Sequence, residues 1–348
     1  MRYNGIIILL VFCLTLLLLT GRIVNAVIPE TTSGNLENQE NTEEPIIENT
    51  EEPGKWSGLG MGGIFSSTQA QKLSYLDILI ANGFTEFRTA IPDYHNTGWV
   101  DDAKWVQQQV IAKGGKSIWG VCAIDLTAAN WGDYRTAILS AAQWAQDNGV
   151  YEFQLGNEEE DWIDGTTLTL SQLIANLKSV ATEVQGIFTN GNVSYSCFHE
   201  NIDDWVTAGK GDIDILASNI YKEWGAHIPQ PWEDEIDTLV DAFGTDGTYL
   251  TEFGPNSSSL DSYSTDEAAQ AAAVTEMIEY IKASGMTRAY YYCWKDDGKY
   301  HFGVVKADGT YRLLWNQALL NTGPVESTTV PTKTTTISLP DTIALIQK

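Results

Sequence analysis

The feature that most constrains this chain is a regular alternation between Lys55 and Thr322. Eight short runs rich in β-branched and aromatic residues stand there: "WSGLGMGGI", "FTEFRTA", "SIWGVCAI", "VYEFQL", "NVSYSCF", "IDILASNIY", "TYLTEF" and "RAYYYCW". A longer segment of helical periodicity follows each. In "TQAQKLSYLDILIANG", Ala70, Leu73, Leu76 and Ile80 recur at three- and four-residue steps before Gly83. In "STDEAAQAAAVTEMIEYIKASG", Ser264 and Glu267 stand at capping-box spacing and Gly285 closes the segment. Further helices are expected over 99–114, 131–148, 169–186, 231–243 and 311–321, with a short one from near Asn201. Several strands read as apolar on both faces, as parallel strands covered by helices do. A doubly wound sheet competes, but "GLGMGG" lies within a strand-like run and no ribose-binding acid follows at the required distance. Eight units over about 268 residues match the roughly 250 of a closed barrel. The expected fold class is α/β, a (β/α)8 TIM barrel forming one domain over residues 55–322.

The ends have a different character. Residues 1–26 carry Arg2, the apolar run "IIILLVFCLTLLLL" and a small-residue site at Val24 and Ala26, the pattern of a signal peptide; an uncleaved N-terminal anchor is the other reading. Residues 27–54 are rich in Glu, Asn, Thr and Pro, without Lys or Arg, and are expected to be a disordered acidic linker. Residues 323–348 form a Thr/Pro-rich tail, expected to be disordered, in which "LPDT" is followed by Ile343 and not Gly. Export follows from either reading of the first segment, with the protein secreted or tethered at the cell surface. A membrane is a partner only if that segment stays uncleaved. The net charge of −26 argues against nucleic acid, because such a chain could release few counterions from a phosphate backbone. Cys122, Cys197 and Cys293 show neither disulfide nor zinc spacing and are expected to be buried free thiols.

In a barrel, side chains at the carboxyl ends of strands face the mouth where chemistry occurs. Glu158 follows the fourth strand in "LGNEEE" and Glu252 ends the seventh in "YLTEFGP". Two carboxylates on such strands can face each other across the axis. Retaining glycoside hydrolysis uses a pair about 5–5.5 Å apart, one as nucleophile and one as acid/base. Glu159 and Glu160 begin the next loop, either as electrostatic neighbours or as solvated loop acids. As neighbours, their charge should disfavour ionisation of Glu158.

"GNE" and "TEFG", in this order and at these strand ends, resemble the acid/base and nucleophile motifs of the clan A retaining glycoside hydrolases, which include the family 5 cellulases and mannanases. The resemblance covers residues 55–322. It implies Glu158 as acid/base and Glu252 as nucleophile. It also implies Arg88 as a partner of the nucleophile, Asn157 as a binder of the sugar 2-hydroxyl, Tyr221 as a hydroxyl beside the nucleophile and Trp294 as an aromatic floor. His199, after the fifth strand, is placed in the cleft without a role. Two departures leave the individual family open. The third strand ends "CAIDLT", with only Asp125, and the sixth has Asn219-Ile220-Tyr221 where family 5 has His-x-Tyr. No cofactor and no metal are implied.

Sugar rings present apolar faces, so aromatics in strand-end loops make natural platforms. Of twelve tryptophans, Trp162 and Trp224 are expected to touch sugar, whereas Trp105, Trp119, Trp144 and Trp315 are expected to pack; Trp131 and Trp205 are open between the two. The expected protein is a monomeric endo-β-glucanase acting on a polysaccharide or oligosaccharide, with β-mannanase as the alternative. A non-catalytic carbohydrate-binding barrel on the cell surface is the rival of another class. A metal-dependent hydrolase is disfavoured, since none of the four His forms a paired ligand motif.

Overall fold

The computed structural model describes residues 58–62, 68–89, 91–222, 231–255, 266–296, 301–320 and 344–345, all within one unit, Glu51–Lys348. The expected signal segment and acidic linker, nearly all of the tail, and Trp224 and Ser264 lie outside these residues.

The eight strands fall where the alternation places them. They are β1 (Gly58–Gly62), β2 (Glu86–Arg88), β3 (Lys116–Gly120), β4 (Glu152–Asn157), β5 (Val193–Phe198), β6 (Ile215–Lys222), β7 (Leu250–Pro255) and β8 (Arg288–Tyr291). Pairing is parallel from β2 through to β8, and β8 pairs in parallel with β1. β1 in turn lies beside β2, which brings the sheet round into a ring. A two-residue strand within the expected tail, β9 (Ala344–Leu345), pairs with β1 and β8. The fold is a (β/α)8 TIM barrel.

The helices are α1 (Gln69–Ala81), α2 (Thr97–Ala112), α3 (Trp131–Asp147), α4 (Leu170–Gln185), α5 (Ile202–Ala208), α6 (Trp232–Phe243) and α7 (Glu267–Ala283). Thr68 with Gln71 and Thr169 with Gln172 form capping boxes that start α1 and α4. For α7 the cap is Asp266, which accepts from the Ala268 and Ala269 amides, and not the expected Ser264–Glu267 box. Where a helix was expected over 311–321, a π-helical turn, Trp315–Leu319, follows β8. Each long helix turns an apolar stripe to the sheet. On α3 it is Ile138, Ala141, Ala142 and Ala145, whose small side chains let the helix lie close. Trp119 and Trp144 meet edge to face in this layer with centroids 4.8 Å apart.

Strands β2 to β8 are buried on both faces, but the inner face is polar, not apolar as expected. Glu86, Glu152, Arg288 and Tyr290 stand at the starts of β2, β4 and β8 and meet one another inside the ring, with Tyr249 joining them. Arg288 pairs with Glu152 and lies 3.6 Å from Glu86. Tyr290 donates to Glu86 at 2.9 Å and Tyr249 to Glu152 at 2.6 Å, while the Arg288 guanidinium sits 4.0 Å from the Tyr249 ring centre. Above them Ser196, Asn219 and Thr251 share a hydrogen-bond triangle of 2.6–3.1 Å. The floor of the barrel is thus closed by charge pairs and the middle by neutral hydrogen bonds, which leaves the carboxyl-end rim for other groups.

Candidate active site

Arg88, fully buried at the end of β2, organises the rim. Its guanidinium donates to Glu252 Oε1 at 3.3 Å, Asn157 Oδ1 at 2.6 Å and the Thr251 carbonyl at 3.4 Å, and its Nε donates to Gln154. A planar fork of five donors can serve so many acceptors at once. The other oxygen of Glu252 accepts from the Tyr221 hydroxyl. Burial, then the Glu252 charge, pushes the Tyr221 phenol well above its ordinary value, so it stays a donor; Glu158 adds to the same effect.

Asn157 accepts a second bond from Asn219 Nδ2 at 3.3 Å, and its own amide lies 3.5 Å from Glu158 Oε2. Asn219, which stands where family 5 has a histidine, therefore orients Asn157. The structure brings Arg88, Asn157, Glu158, Tyr221 and Glu252 together from β2, β4, β6 and β7.

Glu158 has φ 57° and ψ 35°, left-handed backbone that a residue with a side chain seldom adopts. Such a conformation costs of order 1–3 kcal/mol and gathers at functional sites. Its amide donates to the Ser196 carbonyl at 2.9 Å, which ties the turn to β5. The reversal throws the next two residues back into the protein, at the head of a one-turn helix, Glu159–Trp162.

Glu159 and Glu160 are therefore not solvated loop acids. Glu159 accepts from the Tyr134 hydroxyl at 2.6 Å and the Asn157 amide at 3.1 Å. Glu160 accepts from Trp205 Nε1 at 2.6 Å, the Tyr195 hydroxyl at 2.9 Å and the Phe198 amide at 3.2 Å. Burial raises Glu159 to about 7 and Glu160 to about 8, against the pull of these donors. Nor are they the standing charges expected beside Glu158, since below about pH 7 both are largely protonated. Gly156 is part of this device: a Cβ there would overlap the Glu159 carboxylate.

His199 lies at the end of β5, 7% exposed, with Nδ1 3.1 Å from Glu235 Oε1 on α6. The expected floor, Trp294, is fully buried, enclosed by Tyr75, Tyr311 and Trp315 with centroids 5.4–6.0 Å away, and offers no ring face to a ligand. Tyr292, two residues earlier, meets the Tyr221 ring edge to face at 6.1 Å and is the aromatic of this strand end that borders the rim. Sequence reading missed it because "YYYCW" offers four aromatics and only the barrel shows which one borders Tyr221. Trp205 is buried against Glu160, whereas Trp162 remains 36% exposed on the turn after Glu158. Cys122 and Cys197 are free thiols, and the Cys293 thiol donates to the Lys295 carbonyl at 3.2 Å.

No family model matches this chain, and no curated protein resembles it in sequence. Solved structures do resemble it. An exo-β-1,4-mannosidase from Opitutaceae bacterium strain TAV5 superposes with TM-score 0.59 at 14% identity, over 74% of this chain and 57% of that one. The chain thus spans little more than half of the mannosidase. A family 5 xyloglucanase from Paenibacillus pabuli gives 0.55 at 17% identity, over 76% and 97% of the two chains. The catalytic domain of the major endoglucanase from Xanthomonas campestris gives 0.54 at 13%, over 77% and 94%. The shared architecture is the (β/α)8 barrel. The likeness is one of fold.

Proposed function

We propose that this protein is a retaining glycoside hydrolase that cleaves β-linked glycans by double displacement. The observation that carries the reading is the treatment of Glu252: one carboxylate oxygen is held by Arg88 from the end of β2 and the other by Tyr221 from the end of adjacent β6. A carboxylate so oriented, with a second at Glu158 on the same rim, supports the reading of a nucleophile and its acid/base.

Glu252 attacks the anomeric carbon as the bond to the departing sugar breaks, and Glu158 gives its proton to the departing oxygen. Glu158 then removes a proton from water, which attacks the anomeric carbon and releases Glu252. Asn157, oriented by Arg88 and Asn219, directs an amide donor toward the sugar hydroxyl beside the reacting carbon. The favoured substrate is a β-glucan cut internally, with β-mannan as the second reading, since mannosidase, xyloglucanase and endoglucanase all use this fold. Trp162, exposed one turn beyond Glu158, suits a subsite platform.

The test is covalent trapping. A 2-fluoro glycoside with a good leaving group is expected to label Glu252, located by peptide mass spectrometry, and a screen on cellulose derivatives, mixed-linkage glucan, mannan and xylan ranks the substrates. Sugar binding without an adduct and without turnover on any of them defeats this reading and favours a carbohydrate-binding barrel.

A further inference from the structure

We infer that His199 recognises the departing sugar, its imidazole Nε2 donating a hydrogen bond to a hydroxyl oxygen on the leaving-group side of the scissile bond. This inference rests on the glycosidase reading above.

His199 opens a 3-10 turn at the end of β5, the strand next to β4. It is more than nine-tenths buried, and so is Glu235, which reaches Nδ1 from α6. That bond fixes the ring plane, and the Phe198 ring, 4.7 Å away, closes one side. Nε2 has no hydrogen-bond partner among the described residues. A buried polar atom left unpaired loses its water without compensation, and at a rim such an atom is where a ligand atom belongs.

The charged groups acting on the ring are Glu235 from α6, Glu158 from the end of β4 and Glu200 from its own turn. Burial pushes the imidazole down, but the bond and charge of Glu235, with Glu158 and Glu200, raise it above its ordinary value. In the protonated form that these acids favour, the ring carries N–H on both nitrogens and Nε2 seeks an acceptor. Three nearby carboxylates disfavour an anionic sugar, which leaves a neutral hydroxyl. The side follows from the strand order. β5 is next to β4 but two strands from β7, and of the two rim carboxylates it is Glu158, whose proton goes to the departing oxygen, that acts on the imidazole. A donor next to the acid is placed to meet the sugar that leaves.

Four proteins are compared: wild type, His199→Leu, His199→Gln and Glu235→Gln. Each is assayed on gluco- and manno-oligosaccharides and on nitrophenyl glycosides of the same donor sugar, whose leaving group has no hydroxyl of a sugar. His199→Leu is expected to lose at least tenfold more kcat/KM on oligosaccharides than on aryl glycosides. His199→Gln, which keeps an N–H donor at similar reach, recovers most of that difference, and Glu235→Gln falls between. Equal losses on both substrate classes, or no advantage of Gln over Leu, overturn the inference. If His199→Leu does not fold, the 15N resonance of His199 Nε2 in the Glu252→Gln protein decides: it shifts on adding oligosaccharide, and a static resonance at saturation refutes the contact. Wild type inactive on every substrate defeats the glycosidase reading itself; an active wild type without the split defeats only the role of His199.

Discussion

Arg88 serves both halves of the rim with a single side chain. Its contacts to Glu252 and Asn157 link β7 to β4 through β2, so the position of one functional group is conditional on the other. Lysine has the charge but not the fork. Arg88→Lys is therefore expected to lower kcat roughly 100-fold, the cost of misplacing a reacting group by about an ångström, with unfolding still cooperative. Steady-state kinetics beside a denaturant titration checks this. The resemblance to the clan A motifs made Arg88, Asn157, Tyr221 and Glu252 legible in the sequence, each a polar residue at the end of a β-rich run. Two things were not. The burial of Glu159 and Glu160 was hidden, because acidic runs are usually solvated and nothing local announces that Tyr134, Tyr195 and Trp205 wait to receive them. Glu235, the partner of His199, lies 36 residues away on a helix whose acids look like an ordinary solvent face.

At the level of elements, the turn from β4 into the one-turn helix Glu159–Trp162 makes stability depend on pH. Both buried acids have folded values, about 7 and about 8, above the ordinary 4.5 of a glutamate. The folded state therefore holds protons that the unfolded chain releases. The stabilisation is fully present below about pH 4.5 and is lost as pH rises through 7 to 8. Each unit of difference corresponds to about 1.4 kcal/mol, so a loss of a few kcal/mol is expected between pH 5 and pH 8. Thermal unfolding across that range should show Tm falling by several degrees, with a shallower fall for Glu160→Gln, which fixes the uncharged form. A Tm that rises over the same range defeats the assignment. The strands and long helices themselves were readable to within about two residues, because period and caps coincide. The last unit was legible in place but not in kind: after β8 the helical run over 313–319 is mostly π-helical, where spacing suggested an α-helix.

On the scale of the whole molecule, the floor of the barrel is an ionic cluster walled in by the ring. Arg288 answers two carboxylates, Glu152 and Glu86, on strands far from it in sequence. Replacing it with methionine removes the cation and leaves both acids buried without it, so Arg288→Met is expected to cost about 3–5 kcal/mol. Denaturant unfolding measures this, and a loss under 1 kcal/mol would show that the cluster adds little. That the inner face is polar can be seen afterwards in Glu86-Phe87-Arg88 and Glu152-Phe153-Gln154, where alternate residues differ in character. The same arrangement bears on how the chain is made. Tyr290 and Arg288 reach Glu86 and Glu152 across 204 and 136 residues, so a nascent polypeptide leaving the ribosome must wait for its eighth strand before those acids can be housed. A fragment ending before Arg288 should stay protease-sensitive and bind hydrophobic dyes, whereas adding β8 in trans as a peptide should restore resistance. Synthesis of this protein has a late commitment point, set by a guanidinium on the eighth strand of the ring.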